Sequence, residues 1–313
     1  MHILVTGGAG FIGSHLIEAL LALGHDVAAV DNFSLGSHEQ LAHLAGQPRF
    51  RLHPLDILDA AAFGAVMGSE NFDCVFHLAA NSDIARSHDD PGVDFRNTLE
   101  TTYTVLTAMR THGVKQIVFA STSAIYGDAA CALDENHGPL LPVSHYGAAK
   151  LASEAFISSF VANYGMQAWI ARFANIVGER ATHGALFDFI NRLRRDPDHL
   201  PVRGNGEQAK PYLYVKELVE ALLFIWQNAD DPLNVFNVGV DSRTSVKQIV
   251  RTVTDEMRVA PEVHYEKSAT GWVGDVAQVR YRVDKLGALG WHARRTSDEA
   301  VQCAVRAMLE TSS

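Results

Sequence analysis

Tyr146 and Lys150, in the run Tyr146-Gly147-Ala148-Ala149-Lys150, set a phenol and an ammonium four residues apart. On a helix that spacing puts both groups on one face. A neighbouring ammonium favours the phenolate, so the pair reads as a tyrosine drawn down toward a usable general base. Exposed helices produce Tyr-x-x-x-Lys by chance, so the spacing alone says little. It gains weight from Ser121-Thr122-Ser123 at the end of an apolar run, Lys115 to Ala120. Thr122 there can share a substrate proton with Tyr146, whereas the bland reading is a polar strand end.

The second chemical signal lies at the N-terminus, in Val5-Thr6-Gly7-Gly8-Ala9-Gly10-Phe11-Ile12-Gly13. An apolar run, Ile3 to Val5, precedes the glycines. Phe11, Ile12, Leu16, Ile17, Leu20 and Leu23 follow with helical period. Gly7 permits a tight turn, Gly10 lets backbone approach a pyrophosphate, and Gly13 lets the helix pack closely on the sheet. The helix start offers unpaired N–H groups to an anion. A second apolar strand, Val27 to Val30, ends in Asp31, placed roughly 20 residues on to accept the adenosine ribose hydroxyls of a dinucleotide.

Strands and helices alternate around these two signals. Further strands are expected at Arg49–His53, Asp73–Leu78, Lys115–Ala120 and Gln167–Arg172, with helices at about Val93–Thr111 and Ser144–Tyr164. This rhythm predicts an α/β fold, a doubly wound parallel sheet of Rossmann type with right-handed crossovers. Ligands belong beyond the carboxyl ends of the strands, where Asp31, Asp56, Ala79-Ala80, Thr122 and Asn175 fall. The rhythm breaks after Phe173. Residues 1–172 are expected to form the dinucleotide domain and 173–313 a smaller α+β lobe, with a strand near Asn234–Val238 returning to the main sheet.

The 313 residues carry a formal net charge of −10, which argues against a nucleic-acid partner. No window offers the roughly 18 apolar residues of a membrane span. The 15 histidines and three scattered cysteines, Cys74, Cys131 and Cys303, form no metal-ligand pattern. Such cysteine usage, with a strand beginning at residue 3, is expected of a cytoplasmic protein.

With these motifs the chain resembles the extended short-chain dehydrogenase/reductase family, in its NAD-dependent epimerase/dehydratase group, and within that the UDP-hexose 4-epimerases. The likeness runs nearly end to end. It continues through Asp31-Asn32, Asp56-Ile57, His77-Leu78-Ala79-Ala80 and Asn97 to Thr122-Ser123-Ala124-Ile125-Tyr126-Gly127. Tyr146, Lys150, Arg172-Phe173-Ala174-Asn175, Gly204-Asn205-Gly206, Tyr212-Leu213-Tyr214-Val215, Gly274-Asp275 and Leu289-Gly290-Trp291 extend it. The resemblance implies NAD held by Gly7, Gly10, Phe11, Ile12, Gly13, Asp31, Asn32, Asp56, Ile57, Leu78, Ala79, Ala80, Asn97, Tyr146, Lys150 and Phe173. It implies catalysis by Thr122, Tyr146 and Lys150, and a nucleotide sugar held by Thr122, Ser123, Asn175, Arg203, Lys210, Tyr212 and Asp275. It also implies a homodimer joined through the two long helices, with Tyr103, Leu106, Leu151, Phe156 and Phe160 as candidate contacts.

Two positions depart from the pattern. Ser82 replaces a lysine near the cofactor, and Trp272 stands where relatives carry a diphosphate-binding arginine, which leaves that role to Arg203, Lys210 or Arg280. Among the group's reactions, 4,6-dehydratases need an Asp-Glu pair after the threonine and decarboxylases a glutamate, where this chain has Ser123-Ala124. What remains suffices for 4-epimerisation, with UDP-glucose and UDP-galactose as the expected pair. Another nucleotide sugar, such as UDP-N-acetylglucosamine, UDP-glucuronate or a GDP-sugar, a 4-reductase or dehydratase, and a non-catalytic NAD sensor are the alternatives. A small residue at Val279 would admit a bulky 2-substituent on the sugar.

Overall fold

The computed structural model describes every residue except 83–86, 88, 130, 269–279 and 311–313. The described chain divides into two compact units that interleave along the sequence. The first holds Met1–Ile125, His145–Arg172 and Leu222–Phe236; the second holds Tyr126–Ser144, Phe173–Ala221 and Asn237–Ser313.

The first unit is built on strands most of which are buried on both faces, as a sheet covered on both sides requires, the edge strand Phe50–Pro54 being the exception. They are β1 (His2–Thr6), β2 (Asp26–Asp31), β3 (Phe50–Pro54), β4 (Cys74–His77), β5 (Gln116–Thr122), β6 (Gln167–Phe173) and a last strand, Leu233–Val238. Leu233–Val238 lies next to β6, and the order continues through β5, β4, β1 and β2 to β3 in one seven-stranded sheet. The pairs β1–β2, β2–β3, β1–β4 and β4–β5 are parallel. The order reverses beside β1, and it is at such a switch point that doubly wound sheets bind ligands. Leu4, Phe63, Val75, Leu106, Met109, Phe119, Ile157 and Ile170 share one buried cluster in this unit.

The expected helix near 93–111 contains an unexpected turn. A helical start at Gly92–Asp94 runs into a π-helical stretch, Phe95–Glu100, before regular helix resumes at Thr101–His112. Such insertions re-aim side chains and cluster at functional sites; this one carries Asn97. Among its described residues the second unit contains three two-stranded sheets, one of which pairs Asn175–Val177 in parallel with Tyr212–Tyr214. No described helix is long and apolar enough to cross a membrane.

The packing fixes the first turn. A Cβ on Gly7, whose φ is +69°, would lie 2.8 Å from the Ala79 nitrogen. A Cβ on Gly13 would collide with the Gly7 carbonyl oxygen and approach the Gly8 Cα to 2.8 Å. Helix Phe11–Ala22 therefore sits against the turn at a distance only glycine allows. Gly13→Ala should cost about 1–3 kcal/mol through overpacking and weaken dinucleotide binding. Thermal unfolding with and without NAD measures both, and an unchanged melting temperature would contradict the packing argument.

Candidate active site

Both oxygens of Asp31 are held by backbone. Oδ2 accepts from the Ala9 N–H at 2.9 Å, and Oδ1 from the Phe33 N–H at 2.8 Å. Burial of this carboxyl pushes its pKa above the ordinary aspartate value, against the help of those two N–H groups. The Ala9 carbonyl in turn accepts from Ser37 N–H at 3.1 Å, so the loop after β2 clasps the glycine turn. Asn32 donates to Asp56 Oδ2 at 3.0 Å, and Asp56 Oδ1 accepts from the Leu58 N–H.

These residues fit a dinucleotide. Gly10 opens the helix with no side-chain cap, which leaves its first N–H groups available to an anion. A Cβ on Gly10 would meet only the Gly7 oxygen, at 3.2 Å, so the outer side of the turn is open. Beneath it, Thr6 Oγ1 lies 2.7 Å from His77 Nδ1 and accepts from the Ala79 N–H at 3.3 Å. Thr102 Oγ1, which donates to the Thr98 carbonyl, lies 3.1 Å from His77 Nε2. Since that hydroxyl proton is already spent, Nε2 carries the ring's hydrogen and Nδ1 accepts from Thr6. Burial pushes His77 down to about 3, so this bridge from β1 through β4 to the helix stays neutral.

Thr122, Tyr146 and Lys150 come together in the first unit. Thr122 ends β5 and hydrogen-bonds the Tyr146 phenol. Lys150 is 2% exposed; its Nζ donates to the Ala120 carbonyl at 2.6 Å and lies 4.7 Å above the centre of the Phe119 ring. The electrostatics differ from the sequence expectation. Burial pushes Tyr146 up to about 12 rather than down, and Thr122 relieves this only in part. Desolvation likewise draws Lys150 down to about 7. Spacing alone does not register how far burial disfavours the charged form of each group.

Behind them lies an unanticipated ion pair. Glu154, one helical turn beyond Lys150, takes Arg172 Nη2 on Oε2 at 2.7 Å and Arg172 Nε on Oε1 at 3.1 Å. Ser121 Oγ donates to the same Oε1 at 2.5 Å. The helix His145–Tyr164 is thus fastened to the ends of both β5 and β6. The single spacing Lys150-x-x-x-Glu154 was the available signal, but Arg172 could be paired with it only in three dimensions.

The expected substrate residues that the structure describes lie in the second unit, apart from Thr122 and Ser123. Asn175 and Tyr212 stand opposite each other on paired strands, and Lys210 pairs with Thr244 in a neighbouring two-stranded sheet. Arg203 and Arg280 are exposed. Asp275, together with Trp272, Gly274 and Val279, lies outside the described residues.

The sequence pattern of the NAD dependent epimerase/dehydratase family matches residues 3–239. The UDP-glucose 4-epimerase of Corynebacterium glutamicum is 32% identical over 266 residues, covering 80% of this chain and 78% of the relative. A crystal structure of a UDP-galactose 4-epimerase superposes with a TM-score of 0.89 at 37% identity, over 99% of both chains. The Thermus thermophilus UDP-glucose 4-epimerase, solved with NAD, gives 0.87 at 30% identity, again over 99% of both.

Arg172→Met would leave Glu154 buried without its cation and should cost about 3–5 kcal/mol. Adding Glu154→Gln should recover much of that loss. Urea denaturation of both variants tests this, and wild-type stability in Arg172→Met would show the pair to be energetically idle.

Proposed function

The chain belongs to the NAD dependent epimerase/dehydratase family, and from that premise we propose that it interconverts UDP-glucose and UDP-galactose at C4 with NAD retained. The observation that carries this reading is the grouping of Thr122, Tyr146 and Lys150, with Thr122 and Lys150 buried and only Ser123 and Ala124 following the threonine. Tyr146 takes the proton of the sugar 4-hydroxyl, and Thr122, bonded to the same phenol, holds that oxygen in line. Lys150 supplies the positive charge that a phenolate requires. NAD, when bound, supplies a reversible acceptor for the hydrogen and electron pair leaving C4. Tyr146 then returns its proton to the oxygen of the 4-keto sugar once the sugar has presented its other face. Gly7, Gly10, Phe11, Ile12, Gly13, Asp31, Asn32, Asp56, Ile57, Leu78, Ala79, Ala80, Asn97 and Phe173 are the proposed cofactor contacts. Asn175, Arg203, Lys210, Tyr212 and Asp275, with Ser123, are the proposed sugar-nucleotide contacts. No step calls for a second acid or base, so dehydration and decarboxylation have no residue to perform them at Ser123-Ala124.

We place the enzyme in the cytoplasm, as its three unpaired cysteines suit a reducing compartment. We also propose a homodimer. Tyr103 and Phe156 stack edge to face at 5.4 Å while remaining 48% and 41% exposed, and Phe95, on the π-helical stretch, is 59% exposed. Leu106, a candidate from sequence, is fully buried in the core and faces away from any such interface.

Purified protein given UDP-galactose and no added cofactor should form UDP-glucose. A reductase would stop at the amount of bound cofactor, and a sensor would convert nothing. Tyr146→Phe should lower turnover about 10²–10⁴-fold while NAD binding persists; near-normal turnover would remove Tyr146 from the chemistry. Light scattering should give twice the chain mass, falling to a single chain in Phe156→Glu, and a monomeric wild type would end the dimer proposal.

A further inference from the structure

Asp94 is 1% exposed. Its Oδ1 accepts from Asn81 Nδ2 at 2.8 Å, and its Oδ2 has no hydrogen-bond partner among the described residues. A buried carboxylate oxygen without a donor costs free energy, and such a group is kept where a charge nearby offsets it. Asn81 is itself fixed, its backbone N–H donating to Thr98 Oγ1 at 3.2 Å. The amide therefore holds Asp94 in place through one oxygen and leaves the other unclaimed. Asp94 closes the short helical start just before the π-helical stretch, and this segment packs against the helix that carries Tyr146 and Lys150.

We propose that Asp94 is the buried counter-charge of Lys150, a positioning residue that keeps the ammonium charged at the pH of turnover. The proposal rests on the assignment of Lys150 and Tyr146 to catalysis. Among the described residues, the groups around the ammonium come from four elements. From its own helix come Tyr146 and Glu154, but Glu154 is already engaged twice by Arg172 and once by Ser121. From β5 come the Phe119 ring and the Ala120 carbonyl. From β4 comes His77, which is neutral. From the preceding helix comes Asp94, the one carboxylate of this set with an oxygen to spare. Its charge supports the protonated lysine more than that of Glu154 does, and it opposes ionisation of Tyr146. Both effects hold the titrations of the two groups at higher pH than burial and Thr122 alone would set.

Asp94→Asn removes the charge but keeps the shape, so Lys150 loses its proton at lower pH, and Tyr146 ionises at lower pH too. Both limbs of the pH profile of kcat should slide toward acid, the alkaline limb by about one pH unit or more, with KM little changed. Asn81→Ala strips the anchor and leaves the charge, so its profile should fall in height without sliding. Asp94→Glu, which restores the carboxylate, should return the alkaline limb toward wild type. Where Asp94→Asn does not fold, Asp94→Ser removes the same charge in a smaller side chain. An Asp94→Asn profile that keeps its position, or that moves no further than that of Asn81→Ala, overturns the proposal. Lys150→Ala, run in parallel, separates the two questions: substantial turnover in that variant would instead defeat the catalytic assignment of Lys150.

Discussion

A lysine ammonium stripped of water is unstable as a charge, and the architecture around β5 answers that one difficulty. The ammonium of Lys150 reaches past its own helix to the backbone of β5, two residues before Thr122. That bond ties the helix bearing the phenol to the strand bearing the hydroxyl. Glu154, Arg172 and Ser121 repeat the fastening a turn further along, where a buried carboxylate is satisfied on both oxygens. Were the helix to slide by one residue, both sets of bonds would be lost together. The alignment of Thr122 with Tyr146 is therefore set by charge burial and its compensation more than by apolar packing, which tolerates small shifts.

The cofactor side obeys a steric constraint. Gly7 and Gly13 let backbone meet backbone at the switch point, and the open flank at Gly10 faces outward. Asp31, His77, Thr6 and Thr102 then lock the surrounding strand ends without spending a charged partner. A neutral histidine bridge serves here because it holds three elements while adding no field to a site meant for an anion.

The parts of this site that arise within one turn or one helix were legible in the sequence. The glycine turn, Asp31 and the Tyr146–Lys150 pair depend on spacings of a few residues to about twenty. The alternation of apolar runs similarly foretold the strands of the main sheet, because a covered strand must be apolar throughout. Contacts between side chains on separate elements were not legible: Arg172 with Glu154, Asn81 with Asp94, and Thr6 with His77 and Thr102 join segments that nothing in the linear pattern pairs. The direction of the Tyr146 shift was misjudged for a related reason, since spacing shows which groups are neighbours but not how little water reaches them. The π-helical stretch at Phe95–Glu100 carries no local signature either; Phe-Arg-Asn-Thr-Leu-Glu would serve as ordinary helix.

The interleaving of the two units along the chain bears on how such a protein can diversify. Every residue that restrains Thr122, Tyr146 and Lys150 by a hydrogen bond described above belongs to the first unit. Asn175, Arg203, Lys210 and Tyr212 belong to the second. On the roles proposed above, replacements that retune the recognised sugar can accumulate in the second unit's segments while the proposed reaction chemistry is inherited intact. Gene duplicates of this fold can explore new substrates with a proton-handling apparatus that needs no reinvention.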